Sequence, residues 1–309
     1  MLKPFILAAA MLATAANAEP AAPLQAPGFY RLTVGDYRVT VLLDGTGKRD
    51  LAAIMSQPAV VRAAYDAVHQ AMPVELSINC FLIDTGKMLI LVDTGAGELF
   101  GPAAGKLTAN LRAAGYTPES VDAVLLTHIH ADHSGGLMIK GQRAFPNATV
   151  YVDAADPALW LNAKKEAAAP AERRDSFAEA RLSITPYRIA NRLRTFNAPT
   201  EVFPGITAVP VRGHTPGHAA YRIERGGSRL LLWGDTMHAQ EAQFSRPDIT
   251  IAYDTDPAPA AAARTALLTQ LADSGELVGG AHLSFPGLGR VEKKEHGFTW
   301  HAEPYRAVP

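Results

Sequence analysis

Apolar, β-branched-rich runs recur along the chain and predict strands. A first group of six lies at positions 30–34, 37–43, 76–84, 88–92, 123–127 and 149–152. A second group of four lies at 206–211, 219–224, 229–233 and 277–280. Helical stretches are predicted between them, at about 57–71, 105–115, 156–166, 170–180 and 257–273. Strands interleaved with helices favour an α/β layered fold.

The N-terminus has the pattern of an export signal. Lys3 supplies a short basic region, and residues 5–15 are apolar but too few to span a membrane. Residues 16–18 read Ala-Asn-Ala, which fits a cleavage site. We therefore predict a signal peptide at 1–18, a single domain at 19–309, and a periplasmic or secreted protein.

Charge and cysteine content narrow the classes of function. The formal net charge is −1 at pH 7, so no excess charge favours nucleic acid or an anionic membrane surface as a partner. The single cysteine, Cys80, cannot form an internal disulfide. A small-molecule substrate remains the expected partner.

Residues 127–136 contain the densest set of metal-ligand residue types. His128, His130, Asp132 and His133 fall within six positions, and imidazole and carboxylate are ligands that first-row divalent ions prefer. The preceding run, 121–126, reads as a buried strand, which places these side chains on a loop at its carboxyl end. A solvated histidine-rich loop would not need four ligand types at this spacing, so we predict a metal site.

Three later strands also end in a ligand-type residue. His214 and His218 follow the run 206–211, Asp235 follows 229–233, and His282 follows 277–280. Open α/β layers place their sites at the carboxyl ends of strands, so these side chains are expected to meet residues 128–133.

These motifs resemble those of metallo-β-lactamase-fold hydrolases. The matching pieces are H-x-H-x-D-H at 128–133, G-H-T-P-G-H at 213–218, W-G-D at 233–235 and the pair 281–282. Segments 95–102 and 282–289 resemble the secreted branch that includes methyl parathion hydrolase and related lactone and aryl-ester hydrolases. The resemblance implies a four-layer αββα sandwich with metals at one edge between the sheets, and a homodimer.

The resemblance also implies two divalent metal ions, for which zinc is the default identity although manganese, cobalt or iron would suit the same donors. Three histidines would hold the first ion: His128, His130 and His214. Asp132, His133 and His282 would hold the second ion. Asp235 and a hydroxide would bridge the two ions.

Further residues are candidates for supporting roles. Asp93 and Thr127 are positioned to orient ligand imidazoles through hydrogen bonds, although Asp93 is equally explained as a turn residue before Gly95. His218 either supports a ligand or satisfies a local turn.

Four side chains are candidates for determining which substrates the site prefers. Phe100, Trp160 and Phe177 match an aromatic pocket of the methyl parathion hydrolase branch, and ordinary core packing is the alternative. His238 follows the bridging aspartate by three residues, where organophosphate-specialised relatives have an apolar residue and acyl-homoserine lactonases a tyrosine. We predict three catalytic residues, Asp132, Asp235 and His238. The role of His238 requires that its side chain face the metals. A surface histidine turned away from the site is the other interpretation.

The predicted function is hydrolysis of lactones or aryl esters by a metal-bridging hydroxide, with organophosphate triesters as side substrates. Four alternatives stay open: a phosphotriester hydrolase of the methyl parathion type, a β-lactamase, a glyoxalase II-type thiolesterase and a non-catalytic zinc-binding protein. Seven donors shared by two ions leave coordination positions open for water and substrate, which favours catalysis over a structural site.

Overall fold

Two seven-stranded sheets form the centre of the computed structural model, which describes residues 25–307. The predicted signal peptide at 1–18 lies outside these residues. The strands of the first sheet are β1 (Phe29–Val34), β2 (Tyr37–Arg49), β3 (Val74–Asp84), β4 (Leu89–Val92), β5 (Ala123–Leu125), β8 (Thr149–Asp153) and β9 (Leu193–Phe196). The strands of the second sheet are β10 (Thr200–Phe203), β11 (Ile206–Pro210), β12 (Ala219–Arg225), β13 (Ser228–Leu232), β14 (Leu277–Gly279), β15 (Leu288–Lys293) and β16 (Phe298–Ala302). A separate small hairpin joins β6 (Met138–Ile139) to β7 (Gln142–Arg143).

Strand order places the predicted ligand loops on one edge. The first sheet runs β1-β2-β3-β4-β5-β8-β9, antiparallel up to β4 and parallel from β4 onwards. The second runs β10 to β16 in chain order, with β13 and β14 as its parallel pair. Parallel β4 and β5, and parallel β13 and β14, end on the same side of their sheets, and the metal-ligand motifs follow β5, β13 and β14.

Nine α-helices cover the outer faces of the sheets or connect the strands in the described residues. They are α1 (Leu51–Ile54), α2 (Pro58–Asp66), α3 (Leu107–Ala113), α4 (Ala131–Ser134), α5 (Ala155–Trp160), α6 (Ala163–Ala168), α7 (Arg174–Ile189), α8 (Gln240–Gln243) and α9 (Pro257–Ser274). None of those helices is long and apolar enough to cross a membrane.

Alternating side chains of the strands build three apolar layers. On β2 and β3, Val41 and Phe81 point into the space between the sheets and meet Tyr221 and Leu232 of the second sheet. Their neighbours Leu42 and Leu82 point the other way, into the layer formed with α3, α5 and α7. The outer face of the second sheet packs on α9. This arrangement is the predicted four-layer αββα sandwich.

The predicted elements are found with altered limits. Every predicted strand is present, and β2 extends six residues further than predicted, to Arg49. The predicted helix 156–166 is two helices, α5 and α6, because Asn162 caps a new helix by accepting hydrogen bonds from the backbone N–H groups of Lys164 and Lys165. The helix predicted at 170–180 begins at Arg174 and continues to Ile189. Six strands, β6, β7, β9, β10, β15 and β16, had no prediction.

Candidate metal centre

The H-x-H-x-D-H segment, 128–133, comprises the end of the loop after β5 and the first three residues of α4. His130 precedes α4, and its carbonyl accepts a hydrogen bond from Ser134 Oγ at 3.0 Å. The carbonyl of His133 accepts from both the backbone N–H of Thr94, at 2.7 Å, and its Oγ1, at 2.8 Å. Gly136 lets the chain pass this close, since a Cβ there would lie 1.9 Å from the Thr94 carbonyl oxygen. The segment is therefore fixed against the end of β4.

Three imidazoles and one carboxylate form the first donor group. His130 Nδ1 lies 3.0 Å from His128 Nε2 and 3.1 Å from His214 Nε2. Asp235 Oδ2 lies 3.2 Å from His214 Nε2 and 3.7 Å from His128 Nε2. These four side chains are the ones that the sequence assigned to the first ion and to the bridge.

The second donor group lies on the other side of Asp235. Asp235 Oδ1 is 2.9 Å from His133 Nε2 and 3.0 Å from His282 Nε2. Asp132 Oδ2 lies 3.5 Å from the same His282 nitrogen. Each carboxylate oxygen of Asp235 thus faces one donor group, which is the geometry that a bridging ligand requires.

The donor atoms fit a dinuclear metal site. Ligands about 2.0–2.1 Å from a tetrahedral zinc ion are about 3.3 Å apart, close to the separations found in both groups. Buried His133 Nε2 and Asp235 Oδ1 have no hydrogen-bond partner in the described part of the chain, although they lie 2.9 Å apart. Burial holds the pKa of His128 and of His130 well below the ordinary value, which keeps these imidazoles in the neutral form that binds metals.

Asp93 and Thr127 lie behind the donors as predicted candidates. Asp93 Oδ2 accepts a hydrogen bond from Thr127 Oγ1 at 2.9 Å and lies 2.9 Å from His133 Nδ1. Thr127 Oγ1 is also 3.1 Å from His128 Nδ1. The carboxylate therefore aims the Nε2 atom of His133 at Asp235, so the structure places Asp93 beside a ligand imidazole rather than in a purely local turn.

His218 supports the backbone of the bridging aspartate. Its Nδ1 donates to the Val211 carbonyl at 2.7 Å, and its Nε2 accepts the Asp235 N–H at 3.0 Å. Burial lowers the pKa of His218 to about 3, so it stays neutral and keeps this tautomer. Gly234 has φ +54°, and a Cβ there would lie 2.6 Å from His218 Nε2, which explains the glycine of the W-G-D motif.

Two supporting contacts were missed by the sequence analysis. Asp254 Oδ1 lies 2.8 Å from His214 Nδ1, and its Oδ2 accepts the backbone N–H of Ile251 at 3.1 Å. His282 Nδ1 lies 3.0 Å from the carbonyl oxygen of Ser77, on β3. Asp254 is 40 residues from its histidine, and no local pattern joins the two positions.

We expect Asp254→Ala to lower metal affinity by about 10–100-fold. Groups that hydrogen-bond the second ring nitrogen of a metal-binding histidine typically contribute that much. Competition with a chromogenic chelator measures the change. Asp248→Ala is the control, since that exposed aspartate lies in the same segment and pairs with Arg246. Equal affinities in both variants would show that Asp254 does not support His214.

Asp156, also missed, ties the two histidine loops together. Its carboxylate accepts the N–H of Ile129 at 2.7 Å and the N–H of Gly217 at 2.7 Å. Burial raises the pKa of Asp156 to about 6. The strand-end loops that carry His130 and His214 are thereby fixed relative to each other.

A cavity of about 500 Å³ opens onto the donors. Asp132, Asp235 and His238, the three predicted catalytic residues, line it together with Phe100 and Trp160. Further apolar side chains on the wall include Leu51, Ile54, Leu76, Ile78, Ile251 and Ala252.

Phe177 does not line this cavity, which corrects its predicted role. Its ring packs behind Trp160, with 5.0 Å between ring centroids, and it lies in the core between α7 and the first sheet. The side chain of α7 that reaches the cavity at this level is the preceding residue, Ser176. One position along a helix rotates a side chain by about 100°, so the two neighbours face different environments.

His238 faces the donors. Its Nε2 lies 3.0 Å from Asp235 Oδ2, and its ring stacks on that of His282 with 5.2 Å between centroids. The backbone N–H of His238 donates to Gln243 Oε1 at 2.8 Å, which fixes the turn. The interpretation of His238 as a surface residue turned from the site is therefore wrong.

Comparisons with known proteins agree with this geometry. A family model described as the metallo-beta-lactamase superfamily matches residues 73–282. An N-acyl homoserine lactonase from Bacillus sp is 30% identical over 187 residues, which cover 54% of this chain and 66% of that protein. A second, from Bacillus cereus, is 30% identical over 176 residues, or 51% and 62% of the two chains. This chain thus spans just under two thirds of the length of the curated relatives it matches.

Two solved structures are similar over nearly the whole fold. The hydrolase AbOPH of the beta-lactamase superfamily has a TM-score of 0.87 and 33% identity, covering 92% of this chain and 100% of its own. AidC, described as a dizinc quorum-quenching lactonase in complex with a product N-acyl-L-homoserine, has a TM-score of 0.83 and 28% identity, covering 91% of this chain and 99% of its own. With its sandwich fold and its clustered His and Asp side chains, the chain belongs to the metallo-beta-lactamase superfamily.

Proposed function

We propose that this protein is a metal-dependent hydrolase whose main substrates are lactones or aryl esters, with phosphotriesters as side substrates. The observation that carries the proposal is the position of seven buried or half-buried His and Asp donors at the base of a cavity of about 500 Å³. In a purely structural metal site, protein ligands fill every coordination position, and no cavity opens onto the metal.

The seven donors would hold two divalent ions, which would supply a Lewis acid for the substrate's carbonyl or phosphoryl oxygen and a water nucleophile at neutral pH. Asp235 holds the donor groups in register, and Asp93, Asp254 and His218 fix their orientation. Zinc is the proposed metal, because its preferred donors and tetrahedral spacing match those present.

The cavity wall suits an ester with an apolar part. Phe100 and Trp160 lie on it, and Trp160 also packs against the metal-donor imidazole of His130, with 5.3 Å between centroids. An aromatic leaving group or an acyl chain would bury apolar surface there. Similarity to the Bacillus lactonases and to AidC supports lactones in particular.

His238 favours carbonyl substrates over phosphotriesters in this proposal. Its Nδ1 is buried and has no hydrogen-bond partner within residues 25–307. A group placed so close to Asp235 can hydrogen-bond the substrate's carbonyl or the leaving alkoxide. It also keeps this part of the wall polar, which suits a lactone ring better than a bulky apolar triester.

A hydrolysis panel tests the proposed function. Purified mature protein, chelated and reloaded with zinc, is assayed on a γ-lactone, dihydrocoumarin, p-nitrophenyl acetate, methyl parathion and nitrocefin. We expect metal-dependent turnover dominated by the lactone or the aryl esters. Dominance of methyl parathion or nitrocefin would replace the proposal with a phosphotriesterase or a β-lactamase, and no turnover at all would favour a zinc-binding protein.

We expect His238→Leu to shift the ratio of methyl parathion to lactone turnover toward methyl parathion by about 10-fold, the effect of losing one hydrogen bond of 1–1.5 kcal/mol. The ratio of the two kcat/KM values is the measurement. His301→Leu, which changes an exposed histidine on β16, serves as the control. An unchanged ratio in His238→Leu would remove the hydrogen-bonding role from this residue.

Export to the periplasm and assembly into a homodimer also belong to the proposal. Both rest on the sequence, namely the predicted signal peptide at 1–18 and the resemblance to the secreted branch.

A further inference from the structure

One wall of the cavity is a stripe of polar side chains on and just before α7. Arg173, Ser176 and Glu179 all line the cavity and follow each other at intervals of three residues. Residues three apart lie on the same face of a helix, so this stripe runs along α7 toward the metal donors. The adjacent face of the helix carries Phe177 and Ala180 into the core.

The wall is fixed relative to the metal centre. The Arg173 guanidinium donates to the carbonyl oxygens of Ala252, at 3.2 Å, and of Asp254, at 2.8 Å. Asp254 in turn contacts the donor His214. The start of α7 is therefore tied to the loop behind the first donor group, and Glu179 has a defined position in the cavity.

Glu179 is half-buried, and its carboxylate has no compensating partner within residues 25–307. Burial raises the pKa of this carboxyl, and the two charged neighbours that add to the shift, Asp175 and Asp132, are also acidic. The cavity's two arginines are engaged elsewhere: Arg173 on the carbonyls described above, and Arg49 over the Phe100 ring at 5.3 Å. An unpaired carboxylate at this depth costs free energy that a bound donor would offset.

We infer that Glu179 is a specificity-determining residue that accepts a hydrogen bond from a donor, such as an amide N–H, carried by the substrate beside its scissile carbonyl. The inference rests on the proposed function and names a feature of its substrate. The same charge disfavours substrates with a carboxylate near the reacting bond, which includes β-lactam antibiotics. Hydrogen bonds to an ionised acceptor are about twice as strong as hydrogen bonds between neutral groups. We therefore expect a marked preference for substrates that carry such a donor.

The test compares two γ-butyrolactones that differ in one group. One carries a secondary acetamide on the carbon next to the ring carbonyl, and the other carries the N-methylated amide, which has no N–H. We expect the zinc-loaded wild-type protein to prefer the secondary amide by about 10-fold or more in kcat/KM. Glu179→Leu should abolish this preference, and Glu179→Gln should keep part of it, because its amide oxygen still accepts a neutral hydrogen bond.

Comparing the ratio of the two substrates between variants cancels any intrinsic effect of the N-methyl group. Asp175→Asn is the matched control: it removes an acidic charge from the exposed side of the same helix, four residues earlier, and should leave the ratio unchanged at 0.15 M salt. A ratio that is the same in Glu179→Leu as in the wild type would overturn the inference. So would an equal change in Asp175→Asn, since a general field effect would then explain it.

The two proposals fail separately. If the wild-type protein hydrolyses both lactones but Glu179→Leu does not alter their ratio, only the role of Glu179 is lost. If it hydrolyses neither, the proposed function is lost, and calorimetric binding of the same two intact lactones still tests Glu179. Equal affinity of the secondary and N-methylated amides for the wild-type protein would then exclude a hydrogen bond to this residue.

Discussion

Replacing Asp235 by alanine is expected to lower metal-dependent turnover by at least about 10³-fold, well beyond the effect of losing a partner behind a ligand. Both carboxylate oxygens are in use: Oδ1 faces His133 and His282 at 2.9 and 3.0 Å, and Oδ2 faces His214 at 3.2 Å. Without this side chain neither donor group is complete. Metal content of the dialysed protein, measured by mass spectrometry, should fall below two ions per chain.

Asp273→Ala, at an exposed position of α9, is the control for Asp235 and should keep both metal content and turnover. Far-ultraviolet circular dichroism establishes that Asp235→Ala is folded. A folded Asp235→Ala protein with two tightly bound ions and wild-type turnover would show that Asp235 does not bridge.

Removing the metals is the second change with a large expected effect. The described donors are mostly buried, and His130 Nδ1 lies within 3.1 Å of both His128 Nε2 and His214 Nε2. Ions present at about 1,000 times their dissociation constant stabilise the folded state by about 4 kcal/mol per site. At roughly 2–4 °C per kcal/mol for a domain approaching this size, chelation should lower Tm by about 10–30 °C.

Differential scanning calorimetry with and without excess chelator measures this shift, and adding zinc back should restore the original Tm. The Asp235→Ala protein supplies the reference, because its Tm should respond only weakly to chelator. A wild-type Tm that is insensitive to chelator would mean that the donor cluster folds without metal and binds it weakly.

The sequence predicted the candidate site where a metal-ligand residue type directly follows an apolar strand. All seven proposed donors were identified from four segments, since each follows a short apolar strand and the resemblance supplies their pairing. His128 and His282 are 154 positions apart, so only the parallel strand arrangement explains why their side chains approach the same carboxylate.

The remaining features depend on contacts between distant segments. Asp254 lies in a loop and Asp156 in the first turn of α5. Neither segment has a metal-binding pattern, and the roles of both residues arise from partners 27 to 61 residues away. Phe177 was assigned to the pocket because an aromatic at that position suited the resemblance, whereas the rotation of α7 gives the cavity to Ser176 and Glu179. Strands β9, β10, β15 and β16 carry mixed polar and apolar residues and are stabilised by pairing with neighbouring strands rather than by local propensity.

The chain order of the two sheets has a consequence for the integrity of the centre. The first sheet ends at Phe196 and the second begins at Thr200, so the chain crosses between them only once. The half before this crossing carries His128, His130, Asp132 and His133, and the half after it carries His214, Asp235 and His282. Neither half holds a complete donor set, so a metal ion bound to either group would cross-link the two halves. A protease cut at 197–199 would leave two fragments held together by the apolar layer between the sheets, and bound metal would add a second link between them.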